Sequence, residues 1–362
     1  YPAARPEVYL KGQARWQVSW FTPGTGKARK EIAQVFIDDA TAKVTEAWTG
    51  PQVAWTMARG YPGAFGRAVN SPWVWIPLTV LFIVPFLDLR RPLRWLHLDL
   101  VVLAAFGISV AFFNAANLDV SVPIVAPLMV YLLARALAIA YRPRGRTPLP
   151  RGPLPLLVPV SWLAIALLFL AGFRIGLNLE DSNVIDVGYS GVIGADRLTH
   201  GKQLYGNWPK DDERGDTYGP AAYAAYVPFE QLWPWHGTWD DLESAHAAAI
   251  FFDLLCTLLL FLIGRQIRGP TLGIMLAYAW VSFPFSLYAL NTNSNDTLVG
   301  TAVVATLLFA ARAPIRGALG ALAGMVKFAP LALAPVLATY DPSGRTSWKR
   351  VGLFAAGFAA IM

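Results

Sequence analysis

Apolar runs of nearly one membrane thickness recur along the chain from Ser71 onward, and short polar segments separate them. A helix needs about 20 mostly apolar residues to cross about 30 Å of hydrocarbon, which is close to the length of these runs. The pattern therefore predicts a polytopic α-helical membrane protein. We place its spans at 72–88, 98–114, 121–141, 154–174, 246–264, 271–290 and 297–312, followed by an apolar segment at 317–339 and the start of another at 351.

The first 70 residues show a different pattern, in which large apolar residues alternate with smaller or polar ones. Three segments are typical of strands, namely "WQVSWF", "EIAQVFIDD" and "KVTEAWTG", and turn-forming residues separate them. We predict an α+β module at 1–70 and a transmembrane region at 71–362. The order of these strands resembles the PepSY-like modules that some bacterial membrane proteins carry.

Composition agrees with a membrane protein, since 55% of the residues are hydrophobic and only 15% are charged. The chain begins at Tyr1 and stops at Met362 inside an apolar run, so we expect both ends to continue in a longer polypeptide. Cys256 is the one cysteine and lies in an apolar run, so no disulfide framework is predicted.

Arginine residues predict the orientation of the spans, because short cytoplasmic loops are enriched in Arg and Lys. They follow the first, third, fifth and seventh spans, which makes those ends cytoplasmic. The 1–70 module, the long 177–245 loop and the "NTNSND" turn then face outward from a bacterial inner membrane. The net charge of +7 reflects cytoplasmic anchors, and no nucleic-acid partner is expected.

The segment 317–339 conflicts with this charge bias. If it crossed the membrane once, "YDPSGRTSWKR" and its three basic residues would lie outside. It also contains Lys327, two prolines and three glycines, which suit one straight lipid-facing helix poorly. A broken pair of half-helices with "VKFAP" at its tip resolves both problems. One kinked span with a snorkelling Lys327 is the alternative.

The long loop begins with the segment "NVIDVGYSGVIGADRLTHGKQLYG", which combines a carboxylate with glycine and tyrosine. Its Asp186, Tyr189, Gly194 with Ala195, Gly201 and Tyr205 resemble the first outer loop of GT-C glycosyltransferases, in particular bacterial glycosyltransferase family 87. The segments "TYGPAAYAAYVPFE" (217–230) and "GMVKFAPLALAP" (324–335) resemble that family's Tyr-x-Pro and Lys-Phe-x-Pro segments. The resemblance covers 154–339.

The resemblance implies a GT-C fold, a polyprenyl-phosphate sugar as donor, an envelope glycan or lipid as acceptor, and inversion at the anomeric carbon. Such a transfer needs a carboxylate base near the outer membrane surface, and Asp186 fits that position about ten residues beyond the fourth span. The leaving phosphate needs cations, for which Lys327, Lys202 and Arg197 are the candidates. An N-cap role is the alternative for Asp186.

Sugar or acceptor contacts are predicted from the remaining polar and aromatic side chains of the outer loops. The candidates are Tyr189, Tyr205, Tyr218, Asn295 and Asp296. For the tyrosines the alternative is an interfacial aromatic belt, and for Asp296 it is capping by Ser294 or Asn295. We expect "TYGPAAYAAYVPFE" to be a surface helix, since its apolar stretch is too short to cross.

The histidines, Asp253 and the 1–70 module bear on other functional classes. The histidines show no ligand spacing, so no cofactor is expected, although a divalent cation at the carboxylates stays open. Asp253 lies inside a span, seven residues after His246 on the same helix face. We predict that its side chain makes a buried hydrogen bond with a structural role. A transporter or flippase, or a sensor or scaffold built on the 1–70 module, remain the rivals to a transferase.

Overall fold

The computed structural model describes residues 3–11, 15–26, 29–55, 57–60, 64, 66–140, 154, 156–239 and 242–362. Its contacts define two compact units. One comprises 1–72 and 98–145, and the other comprises 73–97 and 146–362. The division predicted after residue 70 stays a prediction.

A meander of four antiparallel strands forms the N-terminal sheet. Strand β1 was not predicted, whereas β2, β3 and β4 confirm the three predicted strands. The register places Val18 between Val8 and Val35, so apolar side chains share one face of the sheet. The strands are β1 (Arg5–Lys11), β2 (Arg15–Phe21), β3 (Glu31–Asp38) and β4 (Val44–Thr49), and a 3-10 turn follows at Gly50–Val53.

Helices make up most of the remaining described chain and confirm a polytopic α-helical membrane protein. Four of them are long and apolar enough to cross a membrane, or five if one bent pair is counted. The first helices are α1 (Pro72–Ile83), α2 (Trp95–Asn114), α3 (Leu118–Ala140), α4 (Val160–Glu180), α5 (Asp186–Thr199), α6 (Pro220–Ala224) and α7 (Val227–Leu232). The others are α8 (Glu243–Arg268), α9 (Pro270–Ser282), α10 (Pro284–Asn291), α11 (Asp296–Leu308), α12 (Ala313–Val326), α13 (Ala334–Thr339) and α14 (Trp348–Ala359).

Several predicted spans have different bounds in the structure, and those predicted at 72–88 and 297–312 are the short helices α1 and α11. Helix α4 begins and ends six residues later than the predicted 154–174, so Asp186 follows it closely. The predicted span 271–290 is broken at Pro284 into α9 and α10, which meet at 60°. Proline lacks a backbone N–H and sets its predecessor in an extended conformation, so the helix ends at Ser282 and a new one begins.

A buried arginine satisfies the carbonyls that this break exposes. Arg174 of α4 is fully buried and donates to the carbonyls of Trp280 and Val281 at 3.2 and 3.1 Å. Its guanidinium also pairs with Asp253 at 2.6 Å. The structural role predicted for Asp253 is therefore confirmed. Its partners are Arg174 and the Trp280 indole, which donates at 2.8 Å.

The segment 317–339 belongs to a helical hairpin. Helix α12 ends at Val326, Lys327 is extended, and a 3-10 turn at Ala329–Leu333 leads into α13. Arg316, near the start of α12, donates to the Tyr340 carbonyl after α13 at 3.2 Å. The chain therefore returns to the end from which it set out, with "VKFAP" at the tip. This confirms the broken pair, and the single kinked span is wrong.

The hairpin predicts that residues on its two sides are reached from one face of the membrane. In a Cys256→Ala background, Ser343→Cys and Ala311→Cys are both exposed positions, and Arg350 donates to the Ala311 carbonyl at 3.0 Å. We expect a membrane-impermeant thiol reagent to label both from the same side of oriented vesicles. Labelling of the two positions from opposite sides would contradict the hairpin.

The segment 217–230 packs against α5. Glycine at 191 and 194 leaves room for two tyrosine rings, because a Cβ at Gly191 would lie 2.8 Å from the Tyr226 ring and one at Gly194 would lie 2.1 Å from the Tyr223 ring. These tyrosines lie on the segment predicted as a surface helix. The prediction that this segment is not a span agrees with the structure. The segment forms two short helices, α6 and α7, whereas one helix was predicted.

Candidate functional site

The start of α5 is joined to the "NTNSND" turn by backbone pairing. The amides of Asn183 and Ile185 donate to the carbonyls of Asn291 and Thr292 at 3.2 and 3.1 Å. A Cβ at Gly188 would lie 2.1 Å from the Asn293 carbonyl oxygen, so only glycine allows this approach. The pairing brings the first turn of α5 next to the start of α11.

Asp186 is the first residue of α5 and is exposed. Its Oδ1 accepts a hydrogen bond from the Val187 amide at 2.9 Å, and the unpaired amides of a helix N-terminus favour a carboxylate there. The N-cap residue is Ile185, so the alternative role of Asp186 as N-cap is not what the structure shows. The carboxylate therefore lies at the surface, where a substrate hydroxyl can reach it.

Lys327 lies at the tip of the α12–α13 hairpin and faces the start of α11. Its ammonium donates to Asp296 Oδ1 at 2.6 Å and lies 5.9 Å from the centroid of the Tyr218 ring. The side chains of Lys327 and Asp296 keep 31% and 48% of their surface exposed, so a ligand can reach both. The break in the helix thus presents a cation at an accessible position.

Tyr218 lies near this cation and is also influenced by the charge of Asp186. A Cβ at Gly219 would lie 1.8 Å from the Met325 carbonyl oxygen, so the 217–219 segment packs directly on the hairpin tip. Burial, together with the negative charges of Asp186, Asp296 and Asp212, raises the pKa of the Tyr218 hydroxyl to about 12. The hydroxyl is therefore protonated at neutral pH and can donate a hydrogen bond to a substrate oxygen.

Asp186, Tyr218, Asp296 and Lys327 consequently form one cluster, which we name the transfer cluster. Tyr205 adjoins it, since its hydroxyl donates to the Tyr218 carbonyl at 3.3 Å and 41% of its surface is exposed. Asn295 precedes Asp296 and is 2% exposed, and its Oδ1 has no hydrogen-bond partner among the described residues. The roles predicted for these side chains stay predictions, but the fold brings the residues together.

Two predicted phosphate ligands lie elsewhere. Arg197 and Lys202 are near the far end of α5, a helix about 20 Å long that begins at Asp186. The Arg197 guanidinium donates to the carbonyls of Gln203 and Gly206 at 2.7 and 2.9 Å, and Lys202 pairs with Asp196 at 2.9 Å. Their phosphate role stays a prediction. In the structure, their contacts stabilise the loop that follows α5.

Tyr189 does not offer a ring face to a sugar. Its side chain is fully buried, it stacks on Trp239 at a centroid distance of 4.9 Å, and Trp235 lies edge-on to it at 5.9 Å. Its hydroxyl donates to Asp211 Oδ2 at 3.2 Å. Burial, with Asp211 close by, raises the pKa of this hydroxyl. The Tyr189 ring is therefore part of the hydrophobic core of the 177–245 loop, and its hydroxyl binds the Asp211 carboxylate.

Sequence reasoning missed one acidic residue, Asp212. It is 8% exposed, and its Oδ2 accepts a hydrogen bond from the Ser190 hydroxyl at 2.8 Å. Burial raises its pKa to about 7, against the lowering effect of the Ser190 hydrogen bond. The only signal in the sequence was the acid-rich "DDERGD" segment of the long loop. Among the described residues, no group of three or more His, Cys, Asp or Glu side chains could hold a metal ion.

Residues 217–362 match the model of glycosyltransferase family 87. The match contains Tyr218, Asp296 and Lys327 of the transfer cluster, whereas Asp186 precedes it. No curated protein and no solved structure shows significant similarity to the chain. Together with the membrane-spanning helices, the family match supports a multi-pass membrane glycosyltransferase with a sugar donor and an acceptor as its substrates.

Proposed function

We propose that this chain, with a glycosyltransferase match over 217–362, transfers a hexosyl or pentosyl group from a polyprenyl-phosphate donor to a cell-envelope glycan or lipid. The reaction takes place on the outer side of a bacterial inner membrane, within a GT-C fold. Asp186 is the general base. The observation that carries the proposal is the transfer cluster, in which an exposed carboxylate and a partly exposed lysine ammonium both act on Tyr218.

The chemistry requires both charges. The acceptor hydroxyl oxygen forms a bond to the anomeric carbon while Asp186 takes its proton, and the bond from the anomeric carbon to the phosphate oxygen breaks. The phosphate leaves with the bonding electron pair, and the Lys327 ammonium stabilises the negative charge that accumulates on it. Attack opposite the leaving group inverts the anomeric carbon.

The hairpin suits a lipid-linked donor. Helices α12 and α13 are short apolar helices that lead to Lys327 at their tip. A donor with an apolar chain in the bilayer would present its phosphate at the membrane surface, where this ammonium is accessible. Asp296 holds the ammonium in place until a phosphate competes for it. Tyr218, and Tyr205 whose hydroxyl donates to the Tyr218 carbonyl, are the proposed sugar contacts.

Membranes containing the full-length protein test this function directly. We expect label to move from a polyprenyl-phosphate hexose or pentose into an envelope glycan or lipid, and no label to move from the matching nucleotide sugar. Right-side-out and inverted vesicles report the side of the reaction. A product without a new glycosidic bond would indicate a transporter, and absence of transfer from the whole donor panel would contradict the proposal.

A further inference from the structure

The buried Asp212 carboxyl packs against the start of α5, where it contacts Ser190. Asp186 and Ser190 are one helical turn apart on the same face, and the Ser190 hydroxyl is 2.7 Å from the Asp186 carbonyl oxygen and 2.8 Å from Asp212 Oδ2. One hydroxyl therefore fixes the buried carboxyl against the turn that carries the proposed base.

The chain around Asp212 is shaped to hold this carboxyl. A Cβ at Gly215 would lie 2.4 Å from Asp212 Oδ2 and 2.4 Å from the Trp208 ring, so any larger residue would displace the carboxyl. The Tyr223 hydroxyl donates to the Gly215 carbonyl at 2.6 Å and accepts from the Tyr218 amide at 3.0 Å. Asp212 is thus held in one framework with Tyr218 of the transfer cluster.

The electrostatic surroundings of Asp212 are negative. The titratable groups that act on it, or on which it acts, are Asp186 on α5, Asp211 beside it, Asp216 on the following turn, and the hydroxyls of Tyr189 and Tyr218. Burial and these like charges favour the neutral carboxyl, whereas the Ser190 hydrogen bond favours the charged one. The carboxyl is therefore poised between its two forms near neutral pH.

We propose that Asp212 is a positioning residue of the transfer site, whose buried carboxylate places a second negative charge behind Asp186. This inference rests on the proposed transferase function. Positive charge develops on the acceptor oxygen as it bonds to carbon and on the anomeric carbon as the phosphate leaves. A fixed carboxylate nearby stabilises that charge, while a neutral carboxyl does not. Asp212 itself forms no covalent bond and takes no proton from the substrate.

The sign of the pH dependence follows from the raised pKa of Asp212, which is about 7. Below this pH the carboxyl is neutral and the second charge is missing. Above it the carboxylate is present, so kcat/KM should rise by roughly 3- to 10-fold from pH 6 to pH 8, as expected when one charge contributes to a transition state. The rise is the signature of Asp212.

Asp212→Asn keeps the shape of the neutral carboxyl and cannot ionise. We expect its kcat/KM to stay at the low-pH level of the native protein, with no rise from pH 6 to pH 8. Asp211→Asn is the matched control in the same turn. It should keep the rise and move its midpoint to lower pH, because one like charge near Asp212 is gone. A full rise in Asp212→Asn, or an equal loss at every pH, would overturn the proposal.

Ser190→Ala provides a second test that leaves Asp212 in place. It removes the hydrogen bond that favours the charged carboxyl, so the midpoint of the rise should move to higher pH. An unchanged midpoint would contradict the role of this contact.

Difference infrared spectroscopy of the purified protein separates this inference from the transferase function. The band of one protonated carboxyl should disappear near pH 7 in the native protein and be absent in Asp212→Asn. If no such band titrates, the inference fails whatever the transfer assay shows. If it titrates but no donor supports transfer, the proposed function fails instead.

Discussion

Asp186→Asn should lower kcat for sugar transfer by roughly 10² or more, while the amount of inserted protein stays unchanged. The amide keeps the size of the side chain and can still accept from the Val187 amide, but it has no basic oxygen for the acceptor proton. Since the carboxylate is exposed and its hydrogen bond is local, its loss should cost little stability. Initial rates at saturating donor and acceptor give the measurement.

Glu180→Gln is the matched control for that experiment. Glu180 is also an exposed acid, at the last residue of α4 and six residues before Asp186, and it lies outside the transfer cluster. Its amide variant should transfer sugar at the native rate. Near-normal transfer by Asp186→Asn would remove Asp186 from the role of base, and equal losses in both variants would point to a general effect of charge in this region.

Lys327→Met should weaken donor binding by about 10²-fold, because a charge-assisted contact to phosphate contributes roughly 1.5–3 kcal/mol. Methionine retains much of the length of the side chain but no charge, so packing at the hairpin tip should persist. Lys327→Arg keeps the cation and should keep part of the affinity. Equilibrium binding of the polyprenyl phosphate without its sugar measures the effect, since it reports the phosphate contact alone.

Asp296→Asn separates phosphate binding from the loss of an ion pair. The contact between Asp296 and Lys327, at 2.6 Å, is broken in either variant, but Asp296→Asn leaves the ammonium free for a phosphate. We expect donor binding by Asp296→Asn to remain near native or to increase. If this variant lost as much affinity as Lys327→Met, Lys327 would act through the ion pair, and the phosphate role would be wrong.

Charge and hydropathy patterns predicted one of the two broken helices and missed the other. The hairpin was predicted for 317–339 from a conflict between arginine distribution and a single crossing, and the structure confirms it with helices that begin at Ala313 and end at Thr339. The break between α9 and α10 was not predicted, because Pro284 lies in a run apolar enough for one span. Its exposed carbonyls are satisfied by Arg174, a residue more than 100 positions earlier, which a local pattern cannot reveal.

Single residues of the 177–245 loop also show what a local pattern predicts and what it misses. Asp186 could be selected from its place after a span, but Tyr189, three residues later, is buried against two tryptophans and has no free face. Asp211 and Asp212 are adjacent and chemically identical in the sequence. The fold leaves Asp211 exposed and buries Asp212 against Ser190, and burial, together with nearby negative charges, raises the pKa of Asp212 to about 7.

The membrane class, most of the spans, the strands β2 to β4 and the tip of the hairpin could all be predicted from the order of residues. These follow from local rules, since hydrocarbon thickness sets the length of apolar runs and alternation sets the faces of a strand. Which polar residues meet depends on the fold, because the transfer cluster joins segments more than 100 residues apart through backbone pairing and close glycine contacts. Arg197 and Lys202, by contrast, are close to Asp186 in sequence but lie toward the other end of α5.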